Sequence, residues 1–319
     1  MKNKNLIFSG LLLSGVTALS GCCLNCDPGQ IDDYKMKILS PMGNVTAAMF
    51  PYDANLSTNS DPSMVNMEFK ARNYDVIIFD MLNGLKNIKN NNLDFKLYLP
   101  VTSGNFHLVS INSGTTDKPT SGSKVIVFGQ GLVADTVFKK LYPEVTNISY
   151  VASVQDTVLI GKTGMYEGTK YDYVLSAYPA LANILVSSSE GVNPTLVSHL
   201  GEEWKTKFGS EIPQAGLFMR NNAFAVPHPE ISDAFLLTTE LQIAGLINDP
   251  TSAINFLDEK YPSNELQSSR FGYTSTIFKE AVTTTPNAFG FTTTLTKEKV
   301  QQYLNVIGDT ADYNDYIAF

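Results

Sequence analysis

Three small residues, Gly129, Gly131 and Ala134, fall where the β-branched run of "KVIVFGQGLVADTVFKKLYP" (124–143) gives way to an amphipathic segment. A G-x-G-x-x-A spacing between strand and helix is the fingerprint of a dinucleotide site. The glycines admit a pyrophosphate to the backbone, and the helix N-terminus offers N–H groups with partial positive charge. Such a site also needs an acid about twenty residues on to hold the ribose, and Asp156 stands near that place. Three observations weigh against a dinucleotide. The motif lies behind a complete β-rich block. Asp156 opens a helical stretch, where an acid acts as cap or dipole partner. The N-terminus carries an export signal, and free nicotinamide cofactors are scarce outside the cytoplasm. No cofactor is expected, and the same backbone device suits an anionic or carbonyl-bearing small molecule.

Other chemistry is thinly represented. "GKTG" at 161–164 lacks the Gly that a phosphate-binding P-loop requires, because that position holds Asp156. His107, His199 and His228 share no metal-ligand spacing, so no metal is expected. His107 alternates with Leu108 in a strand, the setting of a satisfied core histidine. There is no G-x-S-x-G nucleophile elbow, and the adjacent pairs Asp32-Asp33 and Glu202-Glu203 read as solvated surface. Trp204 reads as a packing anchor for its helix. No catalytic residues are assigned, and the chain reads as a non-enzyme.

The ends explain the setting. Lys2 and Lys4 precede an apolar stretch, 6–19, too short for a bilayer span, and Leu19-Ser20-Gly21-Cys22 follows in the order of a bacterial lipobox. Residues 1–21 are thus expected as a signal peptide, with Cys22 lipidated and 22–35 a flexible tether. The protein would sit on the outer face of the cell membrane. All 3 cysteines lie in that leader region, so the body relies on a core and not on disulfides. Cys23 and Cys26 have no second ligand pair and read as part of the tether. Loss of Lys2 and Lys4 takes the net charge from −8 to −10. An acidic chain without a basic tract argues against nucleic acid as partner.

The body alternates strands and helices. Strands are expected at 36–39, 65–69, 75–79, 95–101, 106–112, 124–128, 148–152, 171–175 and 216–220, many as continuous apolar runs typical of parallel strands covered on both faces. Helical patterns occupy 134–142, segments opening at Pro229 and Pro250, and 297–307, with Asp249 as a cap. Gly/Ser/Thr/Pro-rich stretches at 112–123 and 208–214 mark two crossings between lobes. Lobe one is expected at 36–115 and 216–319, and lobe two at 116–215.

Five strand-to-loop junctions would converge on one cleft: "SPMGNVTAAM" (40–49), "DMLNGL" (80–85), "TSGNF" (102–106), "GQGLVADT" (129–136) and "SAYPAL" (176–181). In open α/β sheets, ligands sit outside the carboxyl ends of strands. The order and spacing of "YDVIIFDMLNGLKN", "FKLYLPVTSGNFHLVS", "KVIVFGQGLVADTVFKKL", "YDYVLSAYPALANIL" and "EEWKTKFGSEIPQAGLFMRNNAFAVPHPE" resemble the substrate-binding proteins of ABC importers. The likeness is to the group that takes nitrate, taurine, alkanesulfonates and thiamine precursors, and it runs over about residues 36–260. It implies an α/β, two-lobed periplasmic-binding-protein type II fold with a ligand cleft between lobes, a small-molecule solute and a cognate permease as partners, and hinge closure as mechanism. The chain departs from the group at Ser103, where relatives often have Trp, and at Tyr178-Pro179, where they often have Glu-Pro.

For the site, Met42, Gly43, Asn44 and Leu132 belong to the junction loops, and the Gly131 backbone forms the cradle. Phe106 and Tyr178 would be flat walls, with Asn83, Ser103, Asn105 and Gln130 as orienting polar groups. Asp80 either pairs a cationic ligand group or caps the helix after it. The solute is expected to be a small organic molecule, anionic or heteroaromatic. The alternatives are an enzyme on the same fold, akin to pyrimidine-precursor synthases, and a surface lipoprotein that binds a macromolecule.

Overall fold

The structure, a computed structural model, describes residues 35–111, 114–186, 188–285 and 287–319. The export segment, the lipidation site Cys22, Cys23, Cys26 and the tether through Tyr34 lie outside these residues.

Two five-stranded sheets carry the architecture. The first holds β1 (Ile38–Pro41), β2 (Leu56–Asn59), β3 (Val76–Asp80), β4 (Phe95–Ser103) and β12 (Pro213–Arg220), in the order β2-β1-β3-β12-β4. The second holds β5 (His107–Ser110), β6 (Val125–Phe128), β7 (Ile148–Val151), β10 (Tyr173–Ser176) and β11 (Thr195–His199), in the order β11-β5-β10-β6-β7. A short hairpin, β8 (Met165–Tyr166) and β9 (Thr169–Lys170), stands apart. Both sheets follow one plan. In the first, β1 is parallel to β2 and β3, and β12 runs against its neighbours β3 and β4. In the second, β6 is parallel to β7 and β10, and β5 runs against β10 and β11. Each antiparallel strand is the one that has just arrived from the other sheet.

The crossings are therefore tighter than the composition suggests. β4 ends at Ser103 in one sheet and β5 begins at His107 in the other, so Gly104, Asn105 and Phe106 make the first passage. The polar stretch at 112–123 comes after β5, inside the second sheet's own segment. The return strand β12 starts at Pro213, three residues before the expected Gly216.

Burial on both faces explains the apolar runs. In β3, Val76 and Ile78 join one core cluster while Ile77 and Phe79 join another. Phe235, Ile243 and Leu246 of the helix Pro229–Asn248 serve the first cluster. Leu85 and Ile88 of the helix Met81–Asn91 serve the second. The segment 65–69, expected as a strand, lies in the helix Pro62–Ala71 instead. Asp61 accepts from Ser63 N at 2.8 Å, Pro62 opens the helix, and Val65 and Phe69, four apart, are buried together. Phe69 then stacks on Phe95 at 4.6 Å. Pro250 is the cap rather than the first residue of Thr251–Lys260, although Asp249 Oδ1 does accept from Thr251 N. The final helix spans Lys297–Ile307 as its periodicity indicates. Trp204 is fully buried against Phe208 and Tyr303, with Nε1 donating to Ser210 Oγ at 2.9 Å.

The C-terminal helices are tied to the N-terminal 3-10 stretch Asn44–Asn55 through Asp53. Its buried carboxylate receives Lys260 Nζ at 2.9 Å, Tyr261 Oη at 2.7 Å and Arg270 Nη2 at 3.2 Å. Burial alone would raise its pKa. The bonds from Lys260 and Tyr261 and the charge and bonding of Arg270 outweigh that and hold it below the usual carboxylate range. Its contribution is thus complete above the unfolded value near ~3.9 and is lost as pH falls through the lowered folded value. Asp53→Asn should cost roughly 2 kcal/mol at pH 7. In urea unfolding at pH 7 and pH 3, the variant should lose less stability between the two than the wild type.

Candidate functional site

The candidate site is built where the strand ends of the two sheets face each other across the crossings. The two passages are bonded side by side: Gly104 N donates to Ile212 O at 3.2 Å, and Asn105 N donates to Gln214 Oε1 at 2.9 Å. Gly104 turns at φ +66°, and a Cβ on Gly201 would meet Gly104 O at 2.6 Å, so glycine is required at both.

In front of this hinge lies a cavity of about 130 Å³. From one sheet it is lined by Met42, Gly43, Asn44, Phe79 and Asp80, and from the other by Phe128, Leu132, Ser153 and Gln155. Phe106 comes from the hinge itself, its ring 6.1 Å from that of Phe128. Thus Met42, Gly43, Asn44, Asp80, Phe106 and Leu132 come together as the sequence suggests. Phe79, Phe128, Ser153 and Gln155 join them without a motif of their own, although Phe79 and Phe128 each end a legible strand at a junction. Asn44 Nδ2 donates to Phe289 O at 2.7 Å, which leaves its carbonyl oxygen as an acceptor at the wall.

The other expected residues lie around this cavity. Asn83 and Gln130 line a second groove of about 630 Å³, which Leu132 also borders. Ser103 and Asn105 line a hollow of about 580 Å³ beside the hinge, together with His107 and His199. Gly131 acts through its backbone: its carbonyl accepts from Asn83 Nδ2 at 3.3 Å. Tyr178 is buried, and its Oη lies 3.0 Å from Thr285 Oγ1. The peptide bond to Pro179 is cis.

The backbone cradle at 129–133 is occupied by the protein itself. The helix Val133–Leu141 begins there, and four N–H groups of the stretch already have acceptors. Gly129 N donates to Val151 O, and Leu132 N donates to Gly129 O. Gly131 N donates to Asp135 Oδ2 at 2.9 Å, and Val133 N donates to Asp80 Oδ2 at 2.8 Å. Asp80 serves two helices in two lobes. Its Oδ1 caps its own helix by accepting from Asn83 N at 2.9 Å, while Oδ2 reaches across the cleft. Burial raises its pKa, against the pull of the Asn83 and Val133 N–H groups and of Lys86. Asp156, the would-be ribose acid, is also a local partner, accepting from Ser153 N and Oγ at 2.9 Å each.

Asn105 is committed to the scaffold. Its Nδ2 donates to Tyr178 O and its Oδ1 accepts from Tyr178 N, both at 2.9 Å. That fixes the amide orientation, so His107 Nε2, 3.0 Å from Oδ1, must carry a proton. Burial and the neighbouring His199 push the His107 pKa down to about 3, which keeps the ring neutral. Its Nδ1 is then an acceptor, and His199 Nδ1, 2.9 Å away, is the donor.

This pair of twin-plan sheets exchanging one strand each is the two-lobed periplasmic-binding-protein type II fold. Solved structures bear this out. A ligand-binding component of an ABC-type import system from Staphylococcus aureus, with zinc bound, is 10% identical with a TM-score of 0.63, over 89% of this chain and 96% of that one. An ABC transporter from Parabacteroides distasonis is 13% identical with a TM-score of 0.61, over 86% and 92%. The periplasmic aliphatic sulphonate binding protein SsuA from Escherichia coli is 10% identical with a TM-score of 0.60, over 88% and 96%. At such identities the likeness is one of fold. No family model matches the chain, and no curated protein matches it. Among the described residues, no three His, Cys, Asp or Glu side chains group as metal ligands, and no helix is long and apolar enough to cross a membrane.

The hydrogen-bond chain fixes a measurable protonation state. In nitrogen-detected NMR, His107 should remain the neutral Nε2–H tautomer from pH 5 to pH 9. A titration near the ordinary histidine value of ~6.5 would contradict the chain from Asn105 to His199.

Proposed function

We propose that this protein is the solute-binding subunit of an ABC importer, tethered to the outer face of the membrane by lipid on Cys22. It would capture a small organic molecule between its lobes and present the closed form to a permease. The observation that carries this reading is the cavity of about 130 Å³ at the facing strand ends of two twin sheets, directly in front of a hydrogen-bonded double hinge. No nucleophile, metal cluster or acid–base pair is needed for such a task.

The lobes divide where the sheets do, at about 104–106 and 209–212. Closure is supported by contacts that join them. Val133 N reaches Asp80, Asn83 Nδ2 reaches Gly131 O, and Tyr178 Oη meets Thr285 Oγ1. The Gln155 side chain lies over Gly272, where a Cβ would come within 2.6 Å of its Nε2. A ligand touching both walls adds to these contacts only in the closed form, so binding shifts the population toward closure.

Native mass spectrometry of the protein as purified should show a co-purified small molecule. Its removal by partial unfolding and refolding should expand the radius of gyration in small-angle scattering, and its return should reverse the change. Absence of any bound molecule, together with a thermal midpoint indifferent to a broad metabolite library, would overturn the assignment.

A further inference from the structure

We infer that the cleft selects against anions and takes a single-ring, neutral or cationic molecule that donates N–H hydrogen bonds, because the Asp80 carboxylate occupies the place an anion would need. This rests on the reading of the cavity as a solute site. Among the described residues lining the cavity, Asp80 is the one with an ionisable side chain; no Lys, Arg or His reaches it. The helix N-terminus that would attract an anion already holds two carboxylates, Asp80 on Val133 N and Asp135 on Gly131 N. A second negative charge beside Asp80 would be repelled, because no cationic side chain lines the cavity and Lys86, which acts on Asp80, lies outside its lining.

The remaining polar groups point to the same class. Asn44 gives one of its two amide N–H groups to Phe289 O and keeps its oxygen, and Asp80 Oδ2 has a lone pair beyond the one taken by Val133. Both are acceptors that a ligand donor can satisfy. Phe79, Phe106 and Phe128 supply flat apolar walls. The volume of about 130 Å³ is close to the ~150 Å³ of a cavity known to hold one benzene ring.

Four compounds of one shape separate the charge classes: benzamidine, benzamide, benzoate and benzenesulfonate, titrated calorimetrically into the full chain at pH 7.5. Benzamidine and benzamide should bind, with both anions on the order of tenfold weaker or more. Asp80→Asn, which keeps the shape, removes the charge and gives up one of the two accepted N–H bonds, should narrow that gap, with a thermal melt confirming that it folds. Benzoate or benzenesulfonate bound as tightly as benzamide by the wild type would overturn the charge class and leave the solute-site reading standing. An unchanged gap in a folded Asp80→Asn would also overturn the role given to Asp80. Binding of none of the four by either protein would overturn the inference, and the solute-site reading would then stand or fall on the native mass spectrum and the metabolite library.

Discussion

Everything in this molecule hangs on the side-chain amide of Asn105. Two sheets exchange strands through passages only a few residues long, and such passages leave backbone groups without a ladder. Asn105 answers that shortage. It closes a two-way bond with the Tyr178 backbone, takes the His107 ring as a third partner, and has its own N–H on Gln214 of the return strand. The first crossing, the return crossing and the third strand of the second sheet thus meet at one residue. Because a buried amide left half-bonded is costly, the first passage is anchored firmly to the second sheet. The mouth of the cleft inherits its register from it.

At the opposite side of the cavity stands Asp80, which is a latch where Asn105 is a pivot. Its position at the end of β3 follows from the strand, and its cap on Asn83 follows from the helix. Its second bond exists because β3 and β6 bring their carboxyl ends to face each other, so that the helix after β6 starts opposite the helix after β3. One carboxylate then satisfies two helix N-termini that belong to different lobes. The cost of burying it is visible in its raised pKa.

Much of this was legible in the residue string, and what was not shares a physical cause. β3 and β6 announce themselves as unbroken apolar runs because both of their faces are covered. Of the strands missed, β8 and β9 are two residues each, and β2 with "LSTN" and β11 with "TLVSH" are sheet edges, half-buried and too polar to stand out. Segment 65–69 misled because its β-branched and aromatic residues outweighed the Asp61-Pro62 start signal. For the cavity, glycines and strand ends pointed to Met42, Gly43, Asn44, Asp80, Phe106 and Leu132 as neighbours. Partners could not be located that way. Asp80 and Val133 are 53 residues apart, and Asn105 and Tyr178 are 73 apart. Local pattern carries no information about which carboxylate will reach which N–H.

That limit explains how G-x-G-x-x-A can be present with its N–H groups taken by the protein's own carboxylates. The motif specifies a set of N–H groups near a helix N-terminus, and the occupant is decided elsewhere in the chain, here by Asp80 and Asp135. It also sets the energetics of closure. Each neutral interlobe hydrogen bond is exchanged for one with water on opening and is worth only about 1 kcal/mol net, with charged ones somewhat more. Driving an open-to-closed ratio from 99:1 to 1:99 takes about 5.5 kcal/mol. The bonds at Val133, Gly131 and Thr285, at about 1 kcal/mol each, fall short of that figure. Burying one aromatic ring against Phe79, Phe106 and Phe128 supplies roughly 1.5–3 kcal/mol, and a donor placed on Asp80 Oδ2 adds a charge-assisted bond. The latch therefore positions the lobes, and the ring decides whether they stay closed.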